Sequence, residues 1–292
     1  MHLMTSQSNL FSIIMAANPF GKKEVAVVDP AVRKAELLAK AKEYFKPAVE
    51  LEIKDSVKLA IFGGFKTGKT HFCSTCKRPL KVIDTEDAWN WELEQLKAKG
   101  IDVSDIDVAQ VLHWANKEEG KVDLIGSLDA MIDAIDVLTT LISLDRDNPD
   151  APRGTIVIDS MTDLWGWLGI WKDEIDANKE KTNRLDWGKV NKRYIEVIYM
   201  LLHSNWNVIL TFRSKPQVDE KGSDTGIRDA QWQKNTGHYV DSIIEFDFVA
   251  QEFQATFHKG RLGKFMYGKV LRNPDWPTLI SFLKKEAGIT IY

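Results

Sequence analysis

Short apolar runs alternate with stretches of helical spacing along most of the chain, and that order predicts an α/β protein with a mostly parallel sheet flanked by helices. The first run, Val57-Lys58-Leu59-Ala60-Ile61-Phe62, is β-rich and stops at two glycines. Lys81-Val82-Ile83-Asp84-Thr85-Glu86 reads as a second strand, Thr155-Ile156-Val157-Ile158-Asp159 as a third and Asn207-Val208-Ile209-Leu210-Thr211 as a fourth. Near-continuous apolar runs of this length suit strands buried on both faces. Between them, His71 to Cys76 can continue as a helix, and Leu128, Met131, Ile132, Ile135, Leu138 and Ile142 keep helical spacing. Tyr194 to Leu202 predicts a further helix, and Asp147 to Pro152 is a turn cluster.

The ends of the chain differ from this core. Residues 18–28 read as an arm, and Asp29-Pro30 opens a helix running to about Phe45, with Asp as N-cap and Pro in the first turn. Residues 214–239 are polar and Gly-containing without sustained periodicity, which predicts a long loop of the functional or disordered kind. Residues 242–248 and 253–257 alternate as strands of a C-terminal β-hairpin region, and 278–287 read as a closing helix. The expected organisation is an N-terminal arm and helix over 1–50 followed by one domain over 51–292.

Composition narrows the classes. With 292 residues, a sizeable core is expected. The 39 basic and 42 acidic residues give a net charge of −3, which excludes a globally basic protein that coats nucleic acid and leaves a local basic groove open. The two cysteines, Cys73 and Cys76, sit about one helical turn apart. A structural zinc needs four ligands, so the pair reads as helix packing in a reducing, cytoplasmic setting. The apolar run from Leu10 to Ala17 lacks a basic lead-in and is too short to span a bilayer, so no membrane association is expected.

The chemistry is concentrated after the first strand. Gly63-Gly64-Phe65-Lys66-Thr67-Gly68-Lys69-Thr70 fits G-x-x-x-x-G-K-[ST], the phosphate-cradling P-loop, with His71 continuing into the helix. Glycines let backbone N–H groups turn inward around an anion, and the next helix adds its positive dipole end. Lys69 then reaches the β- and γ-phosphates and Thr70 offers its hydroxyl to Mg²⁺, so ATP and Mg²⁺ are the expected ligands. Asp159, closing an apolar strand, fits the carboxylate that orients the metal. Ser160 follows it instead of a glutamate, so Glu86, at the end of another strand, is the candidate base for hydrolysis.

Lys69-Thr70, Val82-Ile83-Asp84-Thr85-Glu86 and Ile156-Val157-Ile158-Asp159-Ser160 together resemble the RecA-like ATPases. Leu185-Asp186-Trp187-Gly188-Lys189-Val190, Val208-Ile209-Leu210-Thr211 and Lys259-Gly260-Arg261 are similar to compact phage and prophage members, some of which anneal or recombine single-stranded DNA. The resemblance covers roughly residues 55 to 272. It implies that Glu86 polarises the attacking water, and that Lys259 and Arg261 complete a neighbour's ATP site in a homo-oligomer. Where RecA ends the fourth strand in a phosphate-sensing amide, this chain has Thr211-Phe212-Arg213; Arg213 then contacts phosphate or pairs with a surface carboxylate.

Two DNA-binding segments are implied by the same resemblance. The first holds Lys179, Lys181, Arg184, Lys189, Lys192 and Arg193 near Trp187; the second holds Lys215, Lys221, Arg228 and Lys234 near Trp232. Lysines that track phosphates beside a ring that stacks on a base suit a single strand. The Phe45-Lys46-Pro47-Ala48 stretch also matches an F-x-x-A docking pattern, or is simply a helix end before a proline break. Two functions stay open: an ATPase acting on single-stranded DNA, and a nucleotide-gated assembly or switch ATPase that does not.

Overall fold

The computed structural model describes residues 30–45, 56–148, 150–177, 184–258, 260–261 and 266–288. The chain divides into two units, 1–53 and 54–292. In the first, α1 (Pro30–Tyr44) follows the Asp-Pro start signal, and its Val32, Leu37 and Leu38 are exposed. Phe45 is exposed as well; Lys46-Pro47-Ala48 lies outside the described residues.

The second unit runs β1 (Lys58–Gly63), α2 (Lys69–Ser74), β2 (Leu80–Asp84), α3 (Trp89–Ala98), β3 (Ile106–Gln110), a small hairpin of β4 (His113–Asn116) and β5 (Lys121–Asp123), and α4 (Leu124–Leu144). It continues with β6 (Thr155–Asp159), α5 (Met161–Ala177), α6 (Arg184–Leu202), β7 (Asn207–Val218), β8 (Asp224–Ala230), β9 (Ser242–Val249), β10 (Glu252–Phe257), β11 (Val270–Arg272) and α7 (Trp276–Ala287). The main sheet has the order β11-β10-β9-β1-β7-β6-β2-β3, with β8 paired to the far end of β7. From β9 to β3 neighbouring strands are parallel, and β10 and β11 add an antiparallel edge. The fold is therefore the expected mixed α/β architecture.

Successive side chains on a strand point to opposite faces, so a strand covered on both sides is apolar throughout. Ala60 and Phe62 of β1 pack with Ile156, Ile158, Val208 and Leu210 under α4, α5 and α6. Leu59 and Ile61 face the other way, into a core shared with Phe72, Trp89, Leu279 and Leu283 of α2, α3 and α7. Cys73 and Cys76 are buried in that second core, and burial pushes both thiols up. Two helix starts carry side-chain caps. Asp123 accepts from the Gly126 N–H at the start of α4, and Asp275 does the same from Thr278 at α7.

Two segments depart from expectation. Residues 214–239 are not an unstructured loop: β7 continues out of the sheet and pairs antiparallel with β8, Ser214 opposite Ala230 and Val218 opposite Asp224. All but Ala230 of β8 is exposed, so neither face of this arm carries an apolar pattern. The helix expected from Tyr194 starts at Arg184, which makes Trp187, Lys189, Lys192 and Arg193 helical. No described helix is long and apolar enough to cross a membrane.

Candidate nucleotide site

Strand β1 delivers the chain into a loop that only particular residues can form. A Cβ on Gly63 would lie 2.2 Å from the Phe246 carbonyl oxygen and 2.7 Å from Thr67 Oγ1, closer than packing permits. Gly68 sits at φ +87°, the left-handed region that glycine enters without steric cost. Thr67 Oγ1 donates to the Gly64 carbonyl at 3.0 Å and closes the loop. Lys69, the first residue of α2, turns back over it and donates to the carbonyls of Gly63 at 3.1 Å and Gly64 at 2.7 Å. Burial lowers the pKa of its ammonium, while the Asp159 and Glu86 carboxylates pull the other way.

Asp159 reaches the same place from β6, with β7 lying between it and β1. Its carboxylate accepts from Thr70 Oγ1 at 2.9 Å, Thr211 Oγ1 at 2.6 Å and Trp89 Nε1 at 3.1 Å. Desolvation raises its pKa, and the bonds from Thr211 and Thr70 hold it down in part. Thr70 and Asp159 thus put a hydroxyl and a carboxylate side by side on the cavity wall. Oxygen donors of this kind suit a hard cation, so these residues fit Mg²⁺. A divalent cation held there would offset the negative charge of a phosphate chain in the loop.

Glu86 is positioned by a turn. Asp84, buried at the end of β2, accepts from the backbone N–H of Glu86 at 3.0 Å and of Trp89 at 3.1 Å, so Asp84 is structural. Glu86 Oε1 accepts from Arg213 Nη2 at 2.7 Å and Nε at 3.1 Å. The same guanidinium reaches Asp163 at 3.0 Å. Asp163 also accepts from Thr85 Oγ1 at 2.7 Å and Ser160 Oγ at 3.0 Å. Arg213 therefore pairs with carboxylates, one of which is the candidate base.

These groups converge on one cavity of about 760 Å³, within the size range of small-molecule sites. Its wall includes residues 63–71, Glu86, Asp159, Thr211, Arg213 and Phe253. His71 Nδ1 lies 2.9 Å from Glu92 Oε1, a bond that raises the imidazole pKa. Phe65 projects from the loop, with Lys66 Nζ 5.2 Å from its ring centre.

Other expected site residues stand elsewhere. Arg261, expected at a neighbour's ATP site, does not line this chain's own cavity; it donates to the His238 carbonyl at 2.8 Å, and Lys259 lies outside the described residues. In the first basic segment, Lys179 and Lys181 lie outside the described residues too. Trp187 packs 5.9 Å from Trp165 under the Lys172 ammonium, and Arg193 bonds Asp129 and covers Trp171. Trp232 is held edge-on against Phe212, 5.2 Å away, in the margin of the core. Both rings have an aromatic neighbour within the domain, and Trp187 keeps 46 % of its surface exposed while Trp232 is partly buried. Conversely, Trp89 and Thr211 as partners of Asp159, and Phe253 as cavity wall, carried no local signal; they meet the site through the order of the strands.

A phosphate loop, a hydroxyl paired with a carboxylate, and a parallel sheet that brings them together make a P-loop nucleotide site. The chain belongs to the AAA domain family, whose model matches residues 55–261. Among solved structures it is similar to an ATPase of the type III secretion system of pathogenic bacteria, at 12% identity over 66% of this chain and 52% of that one, TM-score 0.37. It is also similar to the assembled ATPase EscN of enteropathogenic E. coli, at 14% identity over 66% of this chain and 43% of that one, TM-score 0.39. The chain thus spans about half of those structures or less. No match is found among curated proteins.

Proposed function

We propose that the protein hydrolyses Mg²⁺-bound ATP, with Lys69 and the loop holding the phosphates, Thr70 and Asp159 holding the metal, and Glu86 acting as general base. The observation that carries this reading is the convergence of β1, β2, β6 and β7 on one cavity, where Thr70 and Asp159 touch at 2.9 Å. Glu86 lies in that cavity on the turn that Asp84 fixes, and its tie to Arg213 must loosen before it can take a proton from water.

Arg213 also marks where β7 leaves the core and becomes the exposed β7–β8 arm, and its N–H donates to Thr162 Oγ1 at 2.9 Å. A nucleotide that repositions Arg213 changes the root of the arm, which supports a nucleotide-gated switch or self-assembling ATPase. Lys215, Lys221 and Arg228 on the arm favour the second reading, in which single-stranded DNA is the partner. Asp219, Glu220, Asp224 and Asp229 outnumber them there, which weakens a phosphate-tracking surface. ATP turnover measured with and without single-stranded DNA at low salt separates the two. The switch reading predicts the same turnover in both; a several-fold stimulation by DNA would replace it with the DNA reading.

A further inference from the structure

We propose that Phe253 is the platform on which the nucleotide's base stacks, an inference that rests on the nucleotide reading above. The strand order sets up the argument. Asp159, Thr211 and Glu86 all come from the β7-β6-β2 side of β1, whereas β9 and β10 lie on its other side. Phosphates held by the loop, with their metal-facing end toward Asp159, leave the nucleoside to extend toward β9 and β10. The cavity wall there is aromatic. Phe253, at the start of β10, lines the same cavity, and a Cβ placed on Gly68 would lie 3.0–3.3 Å from its ring atoms. The ring therefore abuts the phosphate loop.

The ring is also held in place. Phe253 is register partner to Phe248 across the β9–β10 hairpin, with ring centres 5.0 Å apart. Its backbone N–H donates to Asn273 Oδ1 at 3.1 Å, and its carbonyl accepts from the Asn273 N–H at 2.6 Å. The side chain remains partly exposed, so it is not a core residue. A fixed, half-open ring against a phosphate cradle is what a purine face requires, since stacking tolerates any π-face and costs little ordering.

The test compares a non-hydrolysable ATP analogue with inorganic tripolyphosphate, both with Mg²⁺, by calorimetry on the full chain. Wild-type protein should bind the analogue more tightly than tripolyphosphate. Phe253→Ala and the better-filling Phe253→Leu should bind the analogue about tenfold more weakly, as expected for one lost stacking contact, with tripolyphosphate unchanged. Phe253→Tyr should keep wild-type affinity for both. Unchanged analogue binding in Phe253→Leu, or an equal loss for both probes, would overturn the base platform while leaving the nucleotide site standing. Wild-type protein that binds neither probe would overturn the nucleotide site itself.

Discussion

A buried carboxylate such as Asp159 keeps its charge only while donors face it, and Thr211, Thr70 and Trp89 supply three. Thr211→Val keeps the shape of the side chain and removes the 2.6 Å bond. It should cost about 1–3 kcal/mol of stability, the usual penalty for an abandoned buried acceptor, with Thr211→Ser close to wild type. Thermal melting of both variants checks this, and a Thr211→Val protein that melts with wild type would show that the bond does not matter. At this scale the sequence was partly legible. The loop from Gly63 to Thr70 is a local pattern whose spacing alone specifies a cradle, so each of its residues could be named beforehand. Thr211 and Trp89 could not be assigned their partner, because 52 and 70 residues separate them from Asp159.

Among elements, those buried on two faces announced themselves and those exposed on two faces did not. The apolar runs of β1, β6 and the first half of β7 are buried at every position, so composition exposes them. The outer half of β7 and nearly all of β8 meet solvent on both sides, and pairing there leaves no alternation to read. The first turns of α6 were hidden differently: before Tyr194, Val190 is the buried residue of the described stretch from Trp187. An arm that buries so little should be dispensable for folding. Excising residues 219–223 at its tip should shift the melting free energy by less than about 0.5 kcal/mol, as for other surface changes. A large fall in melting temperature would show that the arm is packed against something that stabilises the domain.

For the whole molecule, the decisive feature is that one sheet edge gathers the ends of β1, β2, β6 and β7, the edge where ligands bind in open α/β sheets. Carboxylates at strand ends hinted at this edge in the sequence, and the alternation of strands and helices supplied the parallel sheet. The strand order, which puts aromatic Phe253 on one side of the loop and the carboxylates on the other, is a property of the assembled fold alone. The most direct measurement is steady-state ATP turnover of wild-type and Glu86→Gln proteins across a Mg²⁺ titration, with ATP binding followed in parallel. Wild-type turnover should vanish when Mg²⁺ is chelated, and Glu86→Gln should bind ATP normally while hydrolysing it about 100-fold more slowly. Turnover that survives chelation, or a Glu86→Gln enzyme as fast as wild type, would contradict the account.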